Sequence, residues 1–294
     1  MRFLRCTFSL LLAVFPLFSR TAAQNGATVV DDLGRTVTLR GIPHRIISLA
    51  PSITEMLFSL HAGDDVVGVT DFCNYPPEAT RKPRVGGITN PSMEAIVGLK
   101  PDLLLLSMEG NMRDDFDKLT GLGVPVFVTN PRTLSGIHKS LTDLGRLTGR
   151  EAAAADLVRT MQEGEDSLTS RATVRKTVML VVSLQPLIVV GARTFLAELL
   201  QRAGGVNIAS SSPSTYPTLS REAVVASDPE VIIVMSDVPG NTGNLLTLFP
   251  EWNRLRAFST HQVYRIDSDI VSRPGPRAVD GLAALYRIIQ ERHP

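Results

Sequence analysis

The chain has 294 residues, 44% of them hydrophobic and 20% charged, and its 30 basic and 29 acidic residues leave a formal net charge of +1. This length supports one large domain or two lobes with cores of their own, and the apolar content excludes a disordered chain. The near-zero charge excludes the cationic field of a nucleic-acid binder, so we expect no nucleic-acid partner. With one Trp, four Tyr and eleven Phe, a site for a large flat ligand has few rings to use.

The first 23 residues have the pattern of a cleaved secretory signal peptide. Arg2 and Arg5 precede an apolar run over residues 8–18, and small residues close the segment. The run is too short to span a bilayer. No cysteine follows it to carry a lipid anchor, and the mature chain keeps only Cys73, so no internal disulfide is possible. We expect an exported protein that resides in the periplasm.

Apolar strands alternate with helices through a first unit, residues 24–148. Residues 28–40 predict a β-hairpin, and RIISLA at residues 45–50 predicts a buried strand. In the helix that follows, Ser52 or Thr54 is the expected N-cap. Further strands are expected at residues 66–69, 103–106 and 124–128. Because these runs are continuous, they predict a parallel sheet that is covered on both faces.

A second α/β unit, residues 173–294, repeats this order. Its expected strands and helices cover residues 177–182, 187–190, 195–202, 231–235, 262–266 and 277–290. Between the two units, residues 149–172 contain no proline and predict one helix of about 20 residues, or about 30 Å. A helix of that length acts as a stiff strut. The predicted fold is α/β, with two Rossmann-like lobes joined by a single long α-helix.

The two units share one internal sequence match. SMEAIVGLKPDLLLL (residues 92–106) aligns without gaps on SREAVVASDPEVIIV (residues 220–234), which indicates a duplicated unit. In each copy the serine is a candidate N-cap, and Glu94 or Glu222 lies in the first helical turn, where the helix dipole favours an anion. The glutamates either stabilise the two helix starts or offer a matched pair of carboxylates to a partner that contacts both lobes.

The sequence lacks the common motifs of catalysis and nucleotide binding. It contains no G-x-G-x-x-G, no phosphate-binding P-loop, no G-x-S-x-G and no H-E-x-x-H. The five histidines are scattered without metal-ligand spacing, and Cys73 is either a buried apolar residue or a soft ligand that faces a pocket. With no nucleophile–base pair, we expect no catalytic residues, no metal site in the protein and no enzyme.

Four segments, in this order, resemble the periplasmic substrate-binding proteins of ABC importers for vitamin B12, haem and ferric siderophores. They are RIISLAPSITEML (residues 45–57), VGVTDFCNYPP (residues 67–77), residues 92–105 and DIVSRPGPRAVDG (residues 269–281). The resemblance covers nearly the whole mature chain and is strongest to the vitamin B12-binding members. The family fold has two α/β lobes joined by one long helix, with the ligand cleft between the lobes. This agrees with the fold predicted from periodicity.

The resemblance implies a role for the two matched glutamates. In the vitamin B12-binding members, one glutamate per lobe docks onto arginines of the membrane permease, and these residues align with Glu94 and Glu222. Docking is compatible with a place in the first helical turn, since that turn exposes the side chain. The expected partners are therefore an ABC permease and its ATPase.

The resemblance also implies ligand-binding residues. The family's ligand contacts align with Phe72, Tyr216 and Asp269. Arg273 either contacts the ligand or pins its loop to the last helix. Two positions that carry rings in the nearest members are aliphatic here: Ile88 and Ile188. The pocket is therefore expected to hold its ligand largely with aliphatic and polar groups.

These inferences predict an exported receptor that captures a corrinoid, a cobalamin-like ligand, between two lobes and delivers it to an ABC permease. The receptor is expected to be a monomer and to need no cofactor, because any metal arrives inside the ligand. A ferric-siderophore or haem receptor of the same family is the alternative. From a different class, the chain could be a periplasmic enzyme or a sensor subunit on the same fold.

Overall fold

The computed structural model describes residues 26–108, 113–239 and 245–291. The predicted signal peptide, residues 1–23, lies outside these described residues. The chain forms two α/β units on either side of one long helix. We call the described residues before that helix the first lobe and those after it the second lobe.

The first lobe combines a β-hairpin with a parallel sheet. In chain order its elements are β1 (Thr28–Val30), β2 (Thr36–Thr38), β3 (Ile46–Ser48), α1 (Pro51–Ser59), β4 (Val66–Val69), α2 (Met93–Gly98), β5 (Leu103–Ser107), α3 (Arg113–Thr120), β6 (Val126–Thr129) and α4 (Leu134–Thr148). β1 and β2 pair antiparallel, as predicted. The other four strands pair in parallel in the order β4–β3–β5–β6.

Both faces of this sheet are buried, which explains the continuous apolar runs in the sequence. Ile46 and Leu105 face one apolar layer, and Ile47 and Leu104 face the other. All four side chains have no solvent exposure. Because the carboxyl ends of parallel strands share one edge, the loops that follow them meet at that edge of the lobe.

The start of α1 differs from the prediction. Ala50 is the N-cap and Pro51 occupies the first turn, so Ser52 and Thr54 lie inside the helix. Proline suits this place because its missing N–H would have no partner there. The buried hydroxyl of Thr54 instead donates to the Oγ of Ser48 at 2.8 Å. The capping prediction was wrong because proline starts the helix earlier than either hydroxyl residue.

The two lobes are joined by α5 (Glu151–Arg171), a helix of 21 residues. Gly149, in the left-handed conformation at a φ of 65°, ends α4 and lets the chain reverse into α5. The observed helix runs from Glu151 to Arg171, inside the range 149–172 expected for the strut. Neither α5 nor any other helix of the described ranges is both long and apolar enough to cross a membrane.

The second lobe is built on a mixed sheet. Its elements are β7 (Lys176–Leu184), β8 (Leu187–Val189), α6 (Phe195–Arg202), β9 (Gly205–Asn207), α7 (Arg221–Ser227), β10 (Val231–Met235), α8 (Leu245–Leu248), α9 (Arg256–Ser259), β11 (Val263–Ile266), α10 (Ser268–Ser272) and α11 (Ala278–Gln290). The strand order is β11–β10–β7–β8, and β9 also pairs with β7. β8 runs antiparallel to β7, whereas β9, β10 and β11 are parallel to their partners.

One continuous apolar core extends through both lobes. It runs from the first sheet through Leu141 of α4 and Met161 of α5 to Leu199 of α6 and Leu282 of α11. At closest approach, the position of a Cβ on Gly164 would lie 2.8 Å from Val279, so α5 and α11 are in tight contact. The strut is therefore packed against both lobes through one of its faces.

Candidate ligand cleft

The two lobes meet where the loops after β4 and β11 face each other. Asn74, in the loop after β4, donates through Nδ2 to Asp269 Oδ2 at 2.9 Å. Asp269 belongs to α10, directly after β11. The structure thus places the predicted ligand residue Asp269 on the line of contact between the lobes.

Phe72 projects from the same loop of the first lobe. Its side chain is exposed, with 57% of its surface open to solvent. The loop is held from below by Arg84, whose Nη1 donates to the carbonyl oxygens of Thr70 at 2.6 Å and Cys73 at 3.1 Å. An exposed ring on an anchored loop is ready to contact a ligand without reorganising.

Cys73 points the other way, into the first lobe. It is fully buried, and its Sγ lies 3.1 Å from the hydroxyls of both Thr54 and Thr70. Of the two alternatives in the sequence, the structure therefore shows the buried small residue.

Tyr216 lies in a loop beside β8, at the opposite edge of the second sheet from Asp269. The loop is tied to the chain after β8, where Gly191 N donates to Thr215 O at 2.8 Å. A Cβ on Gly191 would stand 2.3 Å from Ser214 O, so only glycine permits this approach. The Tyr216 side chain remains 45% exposed. Tyr216 and Asp269 thus lie toward opposite edges of the sheet of the second lobe.

Asp269, Asn74 and three further side chains form what we call the interlobe cluster. The other members are Glu55 of α1 and Arg273 and Arg277, which flank the loop after α10. Arg273 Nη2 contacts Asp269 Oδ1 at 2.6 Å. Arg273 Nη1 lies 2.7 Å from Asn74 Oδ1 and 3.1 Å from Glu55 Oε1. Four of the five members are charged, and their charges balance.

Arg277 completes the interlobe cluster. Its Nε and Nη2 donate to the two carboxylate oxygens of Glu55 at 2.8 and 2.6 Å. The ring of Tyr75 covers its guanidinium at 4.1 Å from the ring centroid. The hydrogen bonds to Glu55 raise the pKa of Arg277 above its ordinary value, although partial burial opposes this. Arg277 therefore binds the first lobe and not only its own loop.

Glu55 is the site residue that the sequence did not reveal. It is 2% exposed, between the apolar residues of α1. The available signal was a carboxylate among Ile53, Thr54, Met56 and Leu57, all of which are buried. A charge in such a run calls for a partner, but the partners lie more than 200 residues away.

The two aliphatic replacements are both half-buried rather than open to solvent. Ile188 lies in β8 and bridges to Thr218, two residues after Tyr216. Ile88 lies in the loop between β4 and α2.

Glu94 and Glu222 occupy equivalent places in the two lobes. Each lies in the first turn of its helix, α2 or α7, and each is exposed. The Oγ of Ser92 accepts from Ala95 N at 3.2 Å, and that of Ser220 accepts from Ala223 N at 3.1 Å, so both predicted N-caps are confirmed. Since each helix leads into a parallel strand, both helix starts lie toward the cleft edge of their sheets.

A concave feature spans the lobes on the β6 side. This arginine groove, of about 940 Å³, includes Arg132 and Thr133 of the first lobe and Arg175, Arg193 and Glu198 of the second. Glu198 Oε2 accepts from Leu134 N at 2.8 Å and so bridges the lobes at its floor. Phe72, Tyr216 and the interlobe cluster do not line this groove. Within the described ranges, no three histidine, cysteine or carboxylate side chains are grouped to hold a metal ion.

Comparison with known proteins identifies the family. The model of the family described as periplasmic binding protein matches residues 46–270, most of the chain. The chain belongs to the periplasmic binding protein family. An uncharacterized ABC transporter substrate-binding lipoprotein, YvrC of Bacillus subtilis, is 31% identical over 272 residues, which cover 89% of this chain and 85% of that protein.

Solved structures of this family share the two-lobed fold. The periplasmic vitamin B12 binding protein BtuF of Vibrio cholerae aligns with a TM-score of 0.72 and 27% identity over 84% of this chain and 96% of that one. The periplasmic heme-binding protein RhuT of Roseiflexus aligns at 0.76 and 25%, over 84% and 99%. This chain is thus a periplasmic binding protein of an ABC transporter, in a family of transport proteins rather than enzymes.

Proposed function

We propose that the exported chain, freed of residues 1–23, captures a corrinoid between its lobes and delivers it to an ABC permease. In this proposal the lobes comprise residues 24–148 and 173–294, mounted on the helix of residues 149–172. The protein acts as a monomer and uses no cofactor of its own. The observation that carries the proposal is the pair of exposed rings, Phe72 and Tyr216, one on each lobe.

The placement of these groups on both lobes supports a ligand large enough to contact both. Tyr216 and Asp269 lie toward opposite edges of the second sheet, so a ligand that contacts both must be much wider than a small ion. Phe72 supplies apolar surface from the opposite lobe, and Asp269 supplies a hydrogen-bond acceptor with Arg273 beside it. Apolar walls with a few fixed polar groups are the usual design of such sites. Similarity to vitamin B12 binding proteins points to the same ligand class.

The ligand is tested by titrating the purified mature protein with cobalamin, cobinamide, haem and ferric siderophores, followed by absorbance and calorimetry. We expect micromolar or tighter binding to a corrinoid. Phe72→Ala and Tyr216→Ala should each weaken it about tenfold, since a ring in a desolvated pocket contributes about 1–2 kcal/mol. Leu33→Ala, an exposed apolar residue of the hairpin, is the matched control. Binding to none of the four ligands would instead favour an enzyme or a sensor subunit on this fold.

We further propose that Glu94 and Glu222 dock onto cationic residues of the permease. Both are exposed, both stand at the cleft side of their lobes, and their helix starts are capped by serine rather than by the glutamates alone. Reversing both charges in Glu94→Lys/Glu222→Lys should abolish uptake in cells while leaving ligand affinity unchanged. The double variant Glu163→Lys/Asp166→Lys, on the exposed face of α5, makes the same change in net charge. Normal uptake by the first variant would contradict the docking role.

The arginine groove favours one alternative ligand class. Arg132, Arg175 and Arg193 line it, and arginine forks suit the carboxylate or catecholate oxygens of a ferric siderophore. A protein that used this groove would bind the siderophore in the titration and lose that binding on Arg132→Ala. Phe72→Ala would then have no effect, because Phe72 does not line the groove.

A further inference from the structure

The interlobe cluster is organised around one buried carboxylate. The side chain of Glu55 retains 1% of its solvent exposure, and both its oxygens accept from arginine. A charge removed from water is tolerated only when it is paired and fully hydrogen-bonded. Glu55 is therefore the fixed point of the cluster, and it belongs to the first lobe, whereas both arginines belong to the second.

The two arginines differ in the partners of their guanidinium groups. Arg277 forms a bidentate pair with the Glu55 carboxylate through Nε and Nη2, and the face of its guanidinium is covered by the Tyr75 ring. Arg273 makes only one contact with Glu55, from Nη1 at 3.1 Å. Nη1 also donates to Asn74 Oδ1 at 2.7 Å, and Nη2 contacts Asp269 Oδ1 at 2.6 Å. A chain of charge-assisted hydrogen bonds thus leads from the buried Glu55 to the half-exposed Asp269.

We propose that Glu55 is a positioning residue of the ligand cleft. By fixing the Arg273 guanidinium, it holds Asp269 of one lobe and Asn74 of the other as an adjacent acceptor and donor at the cleft. Arg273, 13% exposed, acts on the ligand through Asp269 rather than by touching it. The consequence for ligand binding rests on the proposed function, whereas the positioning of Asp269 and Asn74 exists without ligand.

The charges of the cluster define the ligand chemistry it accepts. Two arginines face two carboxylates, so the cluster presents no net positive charge to the cleft. Its exposed end is the carboxylate of Asp269, with 40% of the side-chain surface open, together with the amide of Asn74. This end accepts neutral N–H donors, such as the primary amides at the rim of a corrinoid, and repels carboxylates. It therefore selects against the anionic ligands that the arginine groove would favour.

The test compares Glu55→Gln with Glu165→Gln. Glu165 is a second buried glutamate, 2.9 Å from His138 between α4 and α5, away from the cleft. Hydrogen exchange of the ligand-free protein reports on residues 70–76 and 267–277. We expect Glu55→Gln to accelerate exchange in both segments by about tenfold, since each lost charge-assisted bond counts for at least that factor. Glu165→Gln should lower the melting temperature without this local effect.

Cyanocobalamin titration is the second readout. Glu55→Gln should weaken binding by about tenfold although Glu55 is too buried to touch the ligand, and Glu165→Gln should bind normally. If Glu55→Gln does not fold, Arg277→Lys, which keeps the charge and loses the fork, takes its place in both measurements. Unchanged exchange in the two segments would overturn the inference. If the unmodified protein does not bind cyanocobalamin, the proposed corrinoid function is wrong. The exchange measurement then tests the role of Glu55 by itself.

Discussion

Ser220 and Glu222 show how the start of one helix can be capped and still leave a carboxylate exposed to a partner. The serine hydroxyl satisfies a backbone N–H at the start of α7, so the helix does not depend on the glutamate for its cap. The Glu222 carboxylate nevertheless accepts hydrogen bonds, first from its own backbone N–H and then from Ser220, and both lower its pKa. The exposed carboxylate therefore stays ionised to a lower pH than an ordinary glutamate and remains open to a partner.

A titration of Glu222 followed by NMR should therefore have its midpoint below that of an ordinary glutamate. Ser220→Ala should move the midpoint upward, because it removes one of the two hydrogen bonds that favour the anion. Since the folded pKa is the lower one, the stabilisation is present above the unfolded pKa and is lost as the pH falls through the folded pKa. Glu222→Gln assigns the signal, and an unshifted midpoint would contradict the hydrogen-bonded geometry.

At the scale of single elements, α5 is in close contact with α11 on one of its faces. Gly164 stands where α11 crosses it, and the space for a Cβ is already taken by Val279. Glycine lowers intrinsic helix stability by about 1 kcal/mol, so its place in the middle of the strut reflects contact rather than propensity.

Gly164→Ala is expected to destabilise the protein by about 1–2 kcal/mol in denaturant unfolding. The added methyl group meets the stiff Val279 side chain, and overpacking costs more than the gain in helix propensity. In a Val279→Ala background the same change should be neutral or stabilising. Gly98→Ala at the end of α2 is the matched control, because nothing lies within 4 Å of its Cβ position and it should be neutral or stabilising. An equal effect of Gly164→Ala in both backgrounds would exclude the contact as its cause.

Most elements could be predicted because their signals are local. α6 and β10 begin and end where the apolar pattern places them, and the serine caps of α2 and α7 follow from residue type. The start of α1 could not be predicted from hydroxyl residues alone, because Pro51 overrides them.

The partners of Glu55 were beyond prediction for a physical reason. They lie more than 200 residues away, and no periodicity encodes a pairing across two lobes. The same limit applies to Phe72, Tyr216 and Asp269. Sequence similarity nominated them, but the separation of Tyr216 and Asp269 to opposite sheet edges follows only from the strand order.

At the scale of the whole molecule, the lobes are joined along more than the strut. The apolar core continues from one lobe to the other. Glu198 of the second lobe accepts a hydrogen bond from the start of α4 in the first. The interlobe cluster adds ion pairs between Glu55 of the first lobe and two arginines of the second. A hinge would have to break buried ion pairs and separate packed side chains, both of which are unfavourable.

Ligand binding should therefore close the cleft by a few degrees, without a large domain rotation. Small-angle scattering of the mature protein, with and without saturating cobalamin, should show a radius of gyration that is unchanged within error. The Glu55→Gln variant, measured in the same way, should show a broader range of lobe separations in its ligand-free form. A large compaction of the unmodified protein on binding would contradict a rigid frame.

The seclusion of Cys73 has a practical consequence for such measurements. Its sulfur is shielded between two threonine hydroxyls and has no exposed surface, so thiol reagents and oxidants have no access to it in the folded protein. In protein that lacks residues 1–23, and with them Cys6, a fluorophore or spin label directed to an engineered surface cysteine should react at that one site without removal of the native Cys73. Because the Cys73 sulfur can react only after the first lobe opens, the rate of slow labelling at Cys73 would measure how often that lobe unfolds locally.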